Sequence, residues 1–142
     1  MTNIAIASDH AGFEYKTHLK SHLESMGISV EDFGTDSVEP VDYPSFVRAA
    51  TQSILEGQNT LGIIIGGSGN EAIVANRYRG IRCAVVWNEG TARLAKEHGD
   101  CNMIGIGQRQ MSKGAAVACV DAWLNADFKG GRHRRRIDLI DE

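Results

Sequence analysis

Residues 63–76 read IIIGGSGNEAIVAN. Three consecutive isoleucines suit a strand buried on both faces, because their branched Cβ atoms pack well on a pleated surface. Gly66, Gly67 and Gly69 follow, in a loop that also holds Ser68 and Asn70. Glycine takes backbone angles closed to other residues and lets a ligand approach the main chain. From Glu71 the apolar positions of EAIVANRY take helical spacing. A buried strand, a glycine turn and a helix in that order predict a crossover unit of a parallel sheet.

The same alternation runs outward in both directions. Strands are expected at IAIAS (4–8), ISVEDF (28–33), LGIII (61–65), RCAVVW (82–87) and NMIGIG (102–107). Between them lie helical patterns. Leu19, Leu23 and Met26 form one stripe, with Lys16, Lys20 and Glu24 on another face; Phe46, Ala50 and Ile54 form a second, opened by Pro44 at a first turn. TARLAKEH (91–98) and SKGAAVACVDAWL (112–124), with Val117, Val120 and Leu124 inward, complete the set. This predicts an α/β fold: a Rossmann-like three-layer α/β/α sandwich on a five-stranded parallel sheet, with its ligand outside the carboxyl ends of the strands. One domain spans 1–142, with residues 125–142 as a C-terminal arm expected to pack on a partner subunit.

Composition narrows the function. Eighteen acidic residues against fifteen basic ones leave a formal charge of −3, which argues against a general nucleic-acid binder. The local exception is GGRHRRR at 130–136, which is also the pattern of a solvated basic face. No apolar run approaches the ~20 residues that cross a bilayer, so no membrane association is expected. The opening MTNIAIASDH has no cationic stretch before a long apolar one, so no secretory leader is expected. Cys83, Cys101 and Cys119 are odd in number and lack metal-like spacing, which points to a reduced, cytoplasmic protein.

The polar candidates gather at strand ends. Asp9 and His10 follow the first strand and either bind a ligand or cap the next helix. Gly67, Ser68, Gly69 and Asn70 can turn N–H groups toward an anion; this is neither a dinucleotide fingerprint nor a Walker loop. Glu71 is either a first-turn acid favoured by the helix dipole or a base whose pKa burial raises. His98 ends a helix, where an imidazolium also serves as a simple cap. Cys101 and Asn102 either line the cleft or start a strand. Arg109, Arg132 and Arg136 carry paired N–H donors suited to phosphate.

Six segments read together, DHAG (9–12), DYP (42–44), GGSGN (66–70) with its nearby glutamate, EHGDCN (97–102), GIGQR (105–109) and GGRHRRR (130–136), resemble ribose-5-phosphate isomerase type B over essentially the whole chain. That group also includes galactose-6-phosphate isomerase subunits. The resemblance implies a homodimer or a tetramer of dimers that interconverts ribose 5-phosphate and ribulose 5-phosphate with no metal or organic cofactor. It implies that Asp9 and His10 bind substrate and that His98 assists ring opening. Gly67 to Asn70 would hold the sugar and the enediolate oxygen, and Arg109, Arg132 and Arg136 the phosphate, some of them across the subunit interface. One branch of the group uses a cysteine base just after the third strand; Gly66 stands there, so the chain resembles the branch with a glutamate base, here Glu71. Two departures stand out. That branch reads GGSGNGE where this chain reads GGSGNE, and Gly99 replaces the common Asn after the histidine. Isomerisation of another aldose phosphate, such as a 6-phosphohexose, and sugar-phosphate binding without catalysis remain open as alternatives.

Overall fold

A computed structural model describes residues 2–142. Five strands, β1 (Asn3–Ser8), β2 (Ser29–Asp32), β3 (Leu61–Gly66), β4 (Cys83–Val85) and β5 (Met103–Gly107), form one sheet in the order β2-β1-β3-β5-β4. Every pairing is parallel, with Ser8 opposite Ile65 and Gly66 opposite Gly107. The fold is therefore the expected α/β sandwich.

Strand period two sorts the central residues onto two cores. Ile4, Ile6, Ile63, Ile65, Ile104 and Ile106 face one layer, built from α1 (Phe13–Ser25), α4 (Glu89–Glu97) and α5 (Lys113–Asn125). Ala5, Ala7, Ile64 and Met103 face the other, built from α2 (Pro44–Leu55) and α3 (Ala72–Ala75). Trp123, the largest side chain with no exposure, buries its ring in the first layer and donates Nε1–H to the Cys101 carbonyl at 3.1 Å. That bond satisfies the one polar atom its burial would otherwise orphan.

Several local expectations shift. α1 ends at Ser25, which leaves Met26 beyond the helix and exposed, while Lys16 is buried at 1% exposure with Nζ 2.6 Å from Asp32. The lysine lies on a face the side-chain pattern marks as polar, and pairing with the end of β2 makes its burial tolerable. α3 has only four residues, where the pattern extends through Tyr78. The terminal arm contains a further helix, α6 (Arg132–Asp138), that folds back on its own chain. Ile137 is buried, Asp141 accepts the Gly80 N–H at 2.7 Å, and the Arg134 guanidinium lies 3.7 Å from Asp100.

Candidate functional site

The carboxyl ends of β1, β3 and β5 surround a cavity of about 260 Å³, lined by Asp9, His10, Ala11, Tyr43, Gly67, Ser68, Glu71, Arg109 and Gln110. Each wall has a local cause. After β1 the chain turns through a 3-10 segment, His10–Gly12, capped by Asp9 Oδ1, which accepts the N–H groups of Ala11 (3.0 Å) and Gly12 (3.2 Å). Gly12 lies so close to Ile65 that any Cβ would strike the Ile65 carbonyl oxygen, so the turn after β1 meets the end of β3 backbone to backbone. Capping and cavity lining are thus both done by Asp9. His10 Nδ1 accepts the Val41 N–H at 3.1 Å, which puts the proton of a neutral ring on Nε2.

Beyond β3 the shortened loop closes without displacing the glutamate. Gly69 takes φ +91°, and three successive i to i+3 bonds follow: Ala72 N–H to Gly69, Ile73 to Asn70 and Val74 to Glu71. A 3-10 start turns the chain more tightly per residue than an α-helix, so it accommodates the missing glycine. Glu71 is 5% exposed, and its carboxylate fills the space beside Gly66. Among the described residues Oε1 has no hydrogen-bond partner. Burial pushes the carboxyl above its ordinary value; nearby backbone N–H groups of Glu71 and Gly69 oppose this, and the Asp9 charge adds to it. A four-residue helix adds little dipole, so burial outweighs the first-turn effect.

The third wall comes from the end of β5. Gln108 N–H donates to the Gly66 carbonyl (2.7 Å) and Arg109 N–H to that of Gly67 (3.1 Å), which lays the Arg109 side chain over Gly67. A Cβ on Gly67 would come within 3.2 Å of Nη1. A carboxylate and a guanidinium therefore face one polar cavity, an arrangement that can hold an anion at one end and move a proton at the other.

Of the predicted site residues, Asp9, His10, Gly67, Ser68, Glu71 and Arg109 share this cavity. Gly69 and Asn70 shape the turn but do not line it; Asn70 is exposed. His98, Arg132 and Arg136 lie outside it. His98, at the end of α4, stacks on His133 of α6 with centroids 4.2 Å apart and planes 12° from parallel. Arg132 and Arg136 form no ion pair among the described residues. The turn after His98 is fixed by Arg82, which donates to the carbonyls of Gly99 (2.8 Å) and Asp100 (2.7 Å). A Cβ on Gly99 would stand 2.9 Å from Cys101 Sγ, which explains the glycine there. Asn102 is structural, bonding the Arg82 N–H and the Gly80 carbonyl. Cys101 is buried, its thiol pushed up to about 11 chiefly by desolvation. Among the described residues no group of three or more His, Cys, Asp or Glu side chains is placed to hold a metal ion.

Tyr43 and Gln110 are lining residues that sequence reasoning did not single out. Tyr43 had a signal, its place in DYP beside Pro44; Gln110 had none beyond adjacency to Arg109.

A family model described as Ribose/Galactose Isomerase matches residues 4–140. The chain is 44% identical to a ribose-5-phosphate isomerase B of Mycolicibacterium paratuberculosis, over 98% of this chain and 89% of that protein. It is 38% identical to the Escherichia coli ribose-5-phosphate isomerase B, over 99% and 95%. The crystal structure of a Thermotoga maritima ribose 5-phosphate isomerase superposes with a TM-score of 0.96 at 46% identity, covering 99% of this chain and 97% of that one. A Mycoplasma genitalium ribose-5-phosphate isomerase B with bound ribulose-5-phosphate superposes at 0.94 with 36% identity, covering 98% and 93%.

Proposed function

The chain belongs to the ribose/galactose isomerase family, and from that premise we propose that it interconverts ribose 5-phosphate and ribulose 5-phosphate through an enediolate. The observation that carries the reading is the buried Glu71 carboxylate, with Oε1 unpaired, in the same cavity as the Arg109 guanidinium.

Glu71 takes the C2 proton of the open-chain aldose. The C–H electron pair forms the C1–C2 double bond, and the C1 carbonyl oxygen takes up negative charge. Return of that proton from Glu71 to C1, with transfer of the C2 hydroxyl proton to the C1 oxygen, leaves the C2 carbonyl and C1 hydroxyl of the ketose. A carboxylate held above its ordinary value by burial suits this task, since it is a stronger base than a solvated one. Gly67 and Ser68 border the position of the enediolate oxygen, where a positioned donor in other enzymes is worth roughly 3–4 kcal/mol. Asp9 and His10 engage the sugar hydroxyls and ring oxygen, the histidine donating through Nε2. Arg109 grips the phosphate, which does not react but supplies the binding energy that sets the carbons beside the base.

His98, Arg132 and Arg136 complete the cavity of a second copy in a homodimer. Their outward position on α4 and α6, and the absence of ion pairs on both arginines among the described residues, support this. The three cysteines are buried and free, and on that ground we place the enzyme in the cytoplasm; among the described residues no helix is long and apolar enough to cross a membrane. The test is a coupled isomerase assay of the purified chain on phosphopentoses, then on phosphohexoses. Turnover of ribose 5-phosphate is expected; sugar-phosphate binding with no turnover of either class would convert the reading to a non-catalytic subunit.

A further inference from the structure

Helix α1 begins directly behind one cavity wall, since Asp9 and the turn His10–Gly12 run straight into Phe13. Its N-cap residue is Gly12, which has no side chain to offer the free N–H groups of the first turn. One of those groups finds its acceptor on the far side of the cavity: Tyr15 N–H donates to Gln108 Oε1 at 2.9 Å, a contact 93 residues apart in the chain. Tyr15 makes the return connection, its hydroxyl donating to the Met111 carbonyl at 2.8 Å. Between Gln108 and Met111 lie Arg109 and Gln110, both cavity-lining, whereas Gln108 and Tyr15 do not line the cavity. The backbone at the start of this segment is already tied to Gly66 and Gly67 of the glycine loop. The two bonds to α1 therefore close a triangle of the three walls.

We infer that Gln108 is a positioning residue: with Tyr15 it braces the Arg109 segment against α1 and so holds the anion-binding guanidinium in register with Asp9 and His10. An arginine on an unbraced segment must be ordered when the ligand arrives, and that ordering subtracts from affinity. The brace removes most of this cost beforehand. It acts on binding, because the phosphate is bound equally in ground and transition states, so its loss appears in KM and leaves kcat. In calling the ligand a sugar phosphate the inference rests on the isomerase reading; in calling it an anion it does not.

The experiment compares the wild-type chain with Gln108→Leu, which keeps bulk but has no acceptor. Inorganic phosphate is titrated calorimetrically, KM and kcat are measured for ribose 5-phosphate, and amide exchange is followed at Tyr15. The expected result for Gln108→Leu is faster exchange at Tyr15, a phosphate Kd and a KM raised together by about fivefold, and kcat within about twofold of wild type. A merely structural cap would lower Tm alone. A phosphate Kd within about twofold of wild type in the folded variant overturns the inference, as does failure of the wild-type chain to bind phosphate. Should Gln108→Leu not fold, Tyr15→Phe removes only the second strut. It is expected to raise the phosphate Kd by about two- to threefold, and an unchanged Kd there overturns the inference equally. Absence of turnover by wild type would remove the isomerase reading and leave the phosphate titration to decide the brace.

Discussion

The carboxyl group of Glu71 occupies the space that a side chain on Gly66 would need: a Cβ built on Gly66 would overlap Oε1 and Cδ of Glu71. Gly66 sits at the end of β3, and Glu71 returns to it across a turn of four residues. A side chain at position 66 and an inward carboxylate at 71 are thus mutually exclusive. The glycine is required by a close approach and not by its backbone angles, since Gly66 is not among the described residues with positive φ.

Gly66→Ala is expected to drive the carboxylate out of its seat while leaving Arg109 in place. Turnover should fall by about 100-fold or more, because a displaced base loses its alignment with the carbon acid. The phosphate Kd should stay within about twofold. Kinetics beside a phosphate titration check this, and near-wild-type kcat would show that the base lies elsewhere.

Glu71→Gln should remove general-base catalysis, on the order of 10²–10⁴-fold in kcat, and at the same time stabilise the fold at neutral pH. The native carboxyl titrates above the unfolded value of 4.5. Between those two values the native chain holds a proton that the unfolded chain has released, so wild-type stability falls as pH rises through that window. Below 4.5 both states are protonated and the cost vanishes. The Tm advantage of the glutamine variant should therefore grow with pH and then level off. Chemical denaturation across pH 4–8 tests the sign, and an advantage that shrinks with rising pH would contradict the burial of an unpaired carboxylate.

Arg109→Ala should raise KM for ribose 5-phosphate by about tenfold or more with a smaller effect on kcat, as expected for a group that binds the unreacting end. Arg109→Lys should recover only part of the loss, since a single ammonium lacks the paired donors. Initial rates on both variants decide it, and an unchanged KM in Arg109→Ala would remove the phosphate from this end of the cavity.

Mixing Glu71→Gln with Arg136→Ala after joint unfolding and refolding should, at ribose 5-phosphate well below the KM of the arginine variant, give activity above the sum of the two separate variants. If each cavity takes its base from one copy and an arginine from the other, a mixed dimer contains one intact site and one doubly altered site. Random pairing makes half of the dimers mixed, so up to about a quarter of wild-type sites return. Activity no higher than the sum of the separate variants would mean that Arg136 serves no cavity but its own.

How much of this was legible in advance follows from the range of each cause. A short apolar run closed by a turn is a local signal, and IIIGG, IAIAS and NMIGIG carry it in full, so the parallel sheet and the placing of polar residues at its carboxyl ends could be read from the chain. The positions of Asp9, His10, Ser68 and Arg109 at strand ends followed from the same local signals. Where side chains point depends on contacts between distant segments. Glu71 turns inward because Gly66 leaves room and the chain begins α3 with 3-10 bonds, Lys16 is buried because Asp32 meets it, and α1 is capped by a glutamine from the opposite wall. Likewise His98 and the arginines of α6 stand apart from the cavity of their own chain, since the path of the terminal arm is set by packing at Gly80 and Asp100, and no periodic signal in GGRHRRR encodes it.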